Sequence, residues 1–134
     1  MKKLFIMKKF NTILFLFFSS VTLNAQTSHY VTAGGGGTTG IDPYFNPQFI
    51  TIQQGDTVVW NNIQGIHNVN GTTTLYPDNP ESFASGAGAA APWTYIHVFT
   101  IPGFYEYECS MWDHNLTQFG SITVTSNTAI GNDN

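Results

Sequence analysis

Cys109, His114 and Gln118 fall within a single run, C-S-M-W-D-H-N-L-T-Q-F-G from Cys109 to Gly120, and His67 stands in a separate element far upstream. Cys109 is the chain's single cysteine, so no internal disulfide can form and the thiol is left for a partner or a ligand role. A thiolate, two imidazoles and a weak fourth donor suit an ion that must hold two oxidation states in nearly one geometry, and copper is that ion. Structural zinc usually shows more cysteines or paired ligand spacing, and neither occurs. Taken singly, each residue has a plainer reading. A lone cysteine at a strand end packs as a small hydrophobe, and a histidine in a β-domain is an ordinary surface or core group. The grouping of cysteine, histidine and a polar axial candidate, beside a second His-Asn-Val element, favours the metal. Such a donor set leaves no easily opened position for substrate, so its chemistry is electron movement.

The elements that would position these residues read as short strands. Asn46 to Ile52 and Thr57 to Trp60 are β-branched and aromatic runs joined by a turn at Gly55-Asp56, with Val58 and Trp60 on one face as core. Ile66 to Val69 resumes extended chain and carries His67. From Asn70 to Pro92 turn formers dominate, so the segment should cross irregularly between sheets, with a short helical turn near Ala89 to Ala91. Thr94 to Ile101, Phe104 to Cys109 and Ser121 to Thr125 complete the set. Glu106 and Glu108 need water, which turns Tyr105, Tyr107 and Cys109 inward. Ile96 and Val98 read as a buried face, leaving His97 and His29 on the surface. The run H-Y-V-T before Gly34 to Gly37 could be a first strand, and the four glycines a flexible connector or exposed loop. The pattern as a whole predicts an all-β, Greek-key β-sandwich.

Lys2, Lys3, Lys8 and Lys9 precede an apolar run from Phe10 to Phe18, and Leu23-Asn24-Ala25 ends in a small residue. This is the pattern of a cleaved signal peptide, residues 1–25, and the run falls short of the ~20 residues that span a bilayer. The remaining chain divides into a first strand and glycine-rich segment (26–45), a core (46–126) and a polar tail (127–134), all within one domain. Those four lysines are the only Lys or Arg in the chain, so cleavage would leave eight carboxylates and a formal charge of −8. A chain without strong cations cannot neutralise phosphates, which excludes nucleic acid, and anionic membrane surfaces would repel it. Its field would steer cationic proteins or metal ions toward it. A monomer, exported to periplasm or cell exterior, is expected.

The ordered set Gly55-Asp56-Thr57-Val58-Val59-Trp60, Gly65-Ile66-His67-Asn68-Val69, Pro102-Gly103-Phe104-Tyr105-Glu106-Tyr107-Glu108-Cys109, His114 and Gln118-Phe119-Gly120 resembles the cupredoxin family of plastocyanins and azurins. The likeness runs from about Asn46 to Thr125. It implies one type 1 copper ion held by His67, Cys109 and His114, and an electron carrier with a redox-protein partner. It further implies that Asn68 hydrogen-bonds toward the Cys109-Ser110 turn, and that His114 is the exit for the electron. Gln118 stands where these families most often carry methionine; Met111, or a carbonyl near Gly65 or Ile66, are the other axial candidates. As a harder donor, an amide oxygen should favour Cu(II) and lower the potential. Trp112 and Phe119 could form an apolar docking patch. Other roles for such a fold are copper sequestration and redox catalysis at an open copper site.

Overall fold

The computed structural model describes residues 25–127. The expected signal segment lies outside them save for Ala25, as does the tail beyond Asn127. Eleven strands run in chain order: β1 (Ser28–Gly34), β2 (Tyr44–Asn46), β3 (Phe49–Gln53), β4 (Thr57–Asn62), β5 (Ile66–His67), β6 (Asn70–Gly71), β7 (Phe83–Ala84), β8 (Ala89–Ala90), β9 (Trp93–Val98), β10 (Gly103–Glu108) and β11 (Phe119–Thr125). The only helical pieces among the described residues are 3-10 turns at Gly37–Thr39 and His114–Leu116. One sheet has the order β2-β1-β4-β9, the other β3-β11-β10-β6-β7, and β5 pairs with β8 in a short ladder of its own. Most neighbours are antiparallel, but β1 runs parallel to β4 and β11 parallel to β3. The expected all-β sandwich is what forms.

The core lies where inward positions of the two sheets meet. Val31 and Ala33 of β1 and Val58 and Trp60 of β4 come from one side; Ile52, Tyr105, Tyr107, Ile122 and Val124 come from the other. Trp60 sits at the centre, with ring centroids 5.8 Å from Phe83, 5.4 Å from Tyr95 and 5.5 Å, edge-on, from Tyr107. Aromatic pairs at such separations add to the burial of their own large surfaces. Along β10, Tyr105, Tyr107 and the following Cys109 are buried while Phe104 and Glu106 face water, the alternation that the strand period requires.

Three local expectations are corrected. Ala89 and Ala90 form β8, not a helical turn: Ile66 pairs with Ala90 and His67 with Ala89, and Ala91 N–H donates to the Gly65 carbonyl at 2.9 Å. Backbone groups there find partners across the ladder, which outweighs alanine's helical preference. On β9 the inward face is Tyr95 and His97, leaving Ile96 58% and Val98 40% exposed. His97 is half-buried because its ring stacks on Phe83 at 5.3 Å and meets Phe99 at 4.7 Å, with Nε2 3.2 Å from Glu81. His29 is likewise half-buried, its Nε2 2.8 Å from Asp56. Asp56 also accepts the N–H groups of Thr27 and Gln53, tying the chain's first strand to the β3–β4 turn. Finally, the glycine run is not simply exposed: Gly34 and Gly35 are buried. At Gly35, φ is +79° and the Asp42 carbonyl occupies the place of a side chain, so only glycine fits.

Candidate metal centre

Four side chains are brought to one end of the sandwich by three pieces of chain. His67 is the last residue of β5 and is held there by the β8 ladder. Cys109 follows β10 directly, and its N–H donates to the Gln118 carbonyl at 2.9 Å. That bond closes the loop between β10 and β11 at its base. Within the loop, His114 N–H reaches the Met111 carbonyl at 2.9 Å and Gln118 N–H reaches the His114 carbonyl at 2.7 Å. His114 and Gln118 are thus set by the loop's own backbone.

Sequence-distant donors converge. The Nδ1 atoms of His67 and His114 are 3.2 Å apart, and Cys109 Sγ is 3.8 Å from the first and 3.6 Å from the second. A triangle with those sides has its centre about 2.1 Å from every corner, inside the ~2.0–2.3 Å range of imidazole and thiolate bonds to a borderline divalent ion. No other cluster of three histidine, cysteine or carboxylate donors forms among the described residues. His67 and Cys109 are fully buried and His114 nearly so.

Gln118 lies beside them, fully buried, and its amide orientation follows from its partner. The Tyr44 carbonyl can only accept, so the group 2.9 Å from it is Nε2, and Oε1 is turned the other way. That oxygen is buried with no hydrogen-bond partner, a state that costs about 1–3 kcal/mol unless something electrophilic meets it. Two of the other axial candidates, the Gly65 carbonyl and Met111, are engaged elsewhere. The Gly65 carbonyl accepts Ala91 N–H at 2.9 Å and Asn62 Nδ2 at 3.2 Å, using both lone pairs. Met111 packs its Sδ against Gly88. Gly65 itself has φ +84°, and a Cβ there would lie 2.6 Å from the Gly35 carbonyl and 2.7 Å from His67 Nε2.

Around the donors, Ser110 N–H donates to Asn68 Oδ1 at 2.8 Å and Asn68 Nδ2 to the Gly86 carbonyl at 3.1 Å. The Asn68 N–H points at Cys109 Sγ, 3.4 Å away, and Asn70 Nδ2 donates to Ser110 Oγ at 2.9 Å. Burial pushes the Cys109 thiol above its ordinary value, an effect that its contacts with the Asn68 and Met111 amides oppose. Burial and the neighbouring His114 pull the His67 imidazole below its ordinary value. His67 and Cys109 are thus both shifted toward their neutral forms; for the imidazole that is the ligand form, whereas the thiol has to give up its proton to bind a metal.

A model of copper-binding proteins, the plastocyanin/azurin family, matches residues 21–125. The chain belongs to that family. Solved structures agree in fold. This cupredoxin is 23% identical to a methionine-to-glutamine variant of amicyanin with Cu(I), with a TM-score of 0.52 over 73% of this chain and 82% of that one. A reduced tryptophan-to-tyrosine variant of amicyanin gives 21% identity and a TM-score of 0.53 over 76% and 86%. A search of curated proteins finds no match. The donor set fits one copper ion: a soft thiolate, two imidazoles and a harder, orphaned amide oxygen.

The structure brings together the four side chains singled out in the sequence, His67, Cys109, His114 and Gln118, with Asn68 bonded to Ser110; what covers them was not read from the sequence. The glycine run supplies that cover: a side chain at Gly36 would begin 3.6 Å from His114 Nε2. Four adjacent glycines were the available signal, because glycine is used where backbone must come close. Trp112, 71% exposed, has its ring 5.4 Å from that of His114. Phe119 packs instead with Phe49 at 6.4 Å.

Proposed function

We propose that this cupredoxin is an exported, monomeric type 1 copper protein that carries single electrons to or from a redox protein in the periplasm or at the cell exterior. In this reading His67, Cys109 and His114 would hold the ion, and Gln118 Oε1, buried without a partner beside them, would be a weaker fourth donor. Copper held there would supply one-electron chemistry. The chain's own part is to prevent rearrangement. Asn68 joins the His67 strand to the Cys109 loop through Ser110 and holds Gly86 on its other side. Bonds of this kind orient ligands and tune a metal.

The observation that carries the proposal is the compact triangle of two Nδ1 atoms and one Sγ, with sides of 3.2, 3.6 and 3.8 Å, formed on strands and a loop already tied together by hydrogen bonds. A redox enzyme would need a path for substrate, and His67, Cys109 and Gln118 are all 0% exposed. His114 alone approaches the surface, which makes its ring the electron's exit.

The decisive experiment is the visible spectrum and cyclic voltammetry of the copper-loaded protein purified from residue 26 onward. An electron carrier shows an intense thiolate-to-Cu(II) band, lost in Cys109→Ser, and a reversible one-electron wave. Copper uptake without a reversible wave would establish sequestration instead, and spectral change on adding azide would establish an open site.

A further inference from the structure

Beside the ligand loop lies a cleft of about 400 Å³, lined among others by Gly36, Gly37, Asp42, Asp113, His114 and Leu116. One wall is the glycine-rich segment, the other the 3-10 turn that carries His114. Asp42 and Asp113 are both exposed. The histidine–carboxylate contacts among the described residues, His29–Asp56 and His97–Glu81, involve neither of them. With no Lys or Arg anywhere after Lys9, nothing in the folded chain neutralises them. A cleft lined by one sign of charge concentrates its field outward and attracts the opposite sign.

His114 is an independent pointer. It is 9% exposed and lines this cleft. Its Nδ1 faces Cys109 Sγ and His67, while its Cε1–Nε2 edge lies along Gly36, a residue of the same cleft. Nε2 has no hydrogen-bond partner among the described residues. An imidazole that gives Nδ1 to a metal keeps its proton on Nε2. The cleft thus offers one N–H donor and two carboxylates, with Ile41 and Leu116 exposed at its lining. A matching group has a positive tip, an aliphatic stem and a carbonyl close by. Lysine and arginine residues have all three.

We propose that this cleft receives a lysine or arginine side chain of the redox partner, its charge between Asp42 and Asp113 and its main-chain carbonyl toward His114 Nε2. The proposal rests on the electron-carrier reading and narrows it to a partner with an exposed cation at its docking face. The inserted residue would lie against the ligand ring itself, so that charge recognition and the electron's exit share one place.

The test uses the copper-loaded protein with three probes: hexaammineruthenium(II) as a cationic reductant, ferricyanide as an anionic oxidant, and a tetralysine peptide followed by amide resonances of the Cu(I) form. The peptide should shift the amides of Gly36, Gly37, Asp42, Asp113 and Thr117 in a saturable way. The double variant Asp42→Asn/Asp113→Asn should weaken peptide binding and slow the ruthenium reaction roughly tenfold at low salt, an effect that shrinks at high salt. The matched double variant Asp78→Asn/Glu106→Gln removes the same charge elsewhere and should change either by less than about twofold. Equal losses in the two double variants would overturn the proposal, because net charge alone would then be at work. Peptide shifts centred on Glu106 and Glu108 would overturn it too. If neither inorganic probe exchanges electrons with the unmodified protein, the electron-carrier reading fails, while the peptide titration still decides the cleft.

Discussion

Asn68→Ala is the sharpest perturbation of the claim that two ligand-bearing segments are tied together by one side chain. The substitution removes a bond from Ser110 N–H at 2.8 Å and one to the Gly86 carbonyl at 3.1 Å. It leaves the main-chain N–H that points at Cys109 Sγ. Asn68 is itself buried, so the two orphaned backbone groups regain water incompletely. Two net hydrogen bonds at ~1 kcal/mol each, plus part of the ~1–3 kcal/mol cost of an unsatisfied buried group, give about 2–4 kcal/mol. For a domain of about 100 residues that is a fall in Tm of roughly 10–20 °C. Thermal and urea unfolding of the metal-free protein measure it, and the urea slope should stay unchanged. The loss should appear without metal, since the bonds belong to the chain. A fall in Tm below about 3 °C would refute the reasoning, since it corresponds to well under 1 kcal/mol and would mean that the segments hold their places without Asn68.

Three further outcomes are expected. Gln118→Met replaces a hard oxygen by a soft thioether and should raise the reduction potential, which a redox titration reads; an unchanged potential would remove Gln118 from the axial role. Gly65→Ala puts a methyl group 2.6 Å from the Gly35 carbonyl and 2.7 Å from His67 Nε2 at φ +84°, so it should cost about 2 kcal/mol or more and weaken copper retention in a chelator competition. Asp56 is the pH-sensitive group at the other end of the sandwich. Burial alone would raise its carboxyl, but hydrogen bonds from His29, Thr27 and Gln53 bring it below the ordinary 3.8. Its contribution is therefore complete above pH 3.8 and lost as pH falls through the lower folded value. Asp56→Asn should flatten the acid limb of the stability profile, and an unaltered limb would count against the assignment.

Much of this centre was legible because strands impose a period of two. Glu106 and Glu108 need water, which alone turns Tyr107 and Cys109 inward, and the short loop after Cys109 leaves His114 and Gln118 little choice of direction. His67 was harder, since its partner strand β8 is two alanines with no pattern to read. On β9 the alternation was visible but its sense was not. Ile96 and Val98 are as apolar as Tyr95, and the choice went to the ring beside Trp60 and to the stack of His97 on Phe83. The glycine run was visible as backbone freedom, but what that backbone would approach is a property of the assembled fold.

The β10–β11 ladder pairs Tyr107 with Gly120 and Glu108 with Phe119. A shift of β10 by a single residue would reverse its faces, carrying the sulfur into solvent and a glutamate into the aromatic interior. A mispaired chain would thus lack a third of its strong donor set. Colour on adding copper would then be a proofreading signal, given only by molecules whose strands had found the right neighbours in the right alignment.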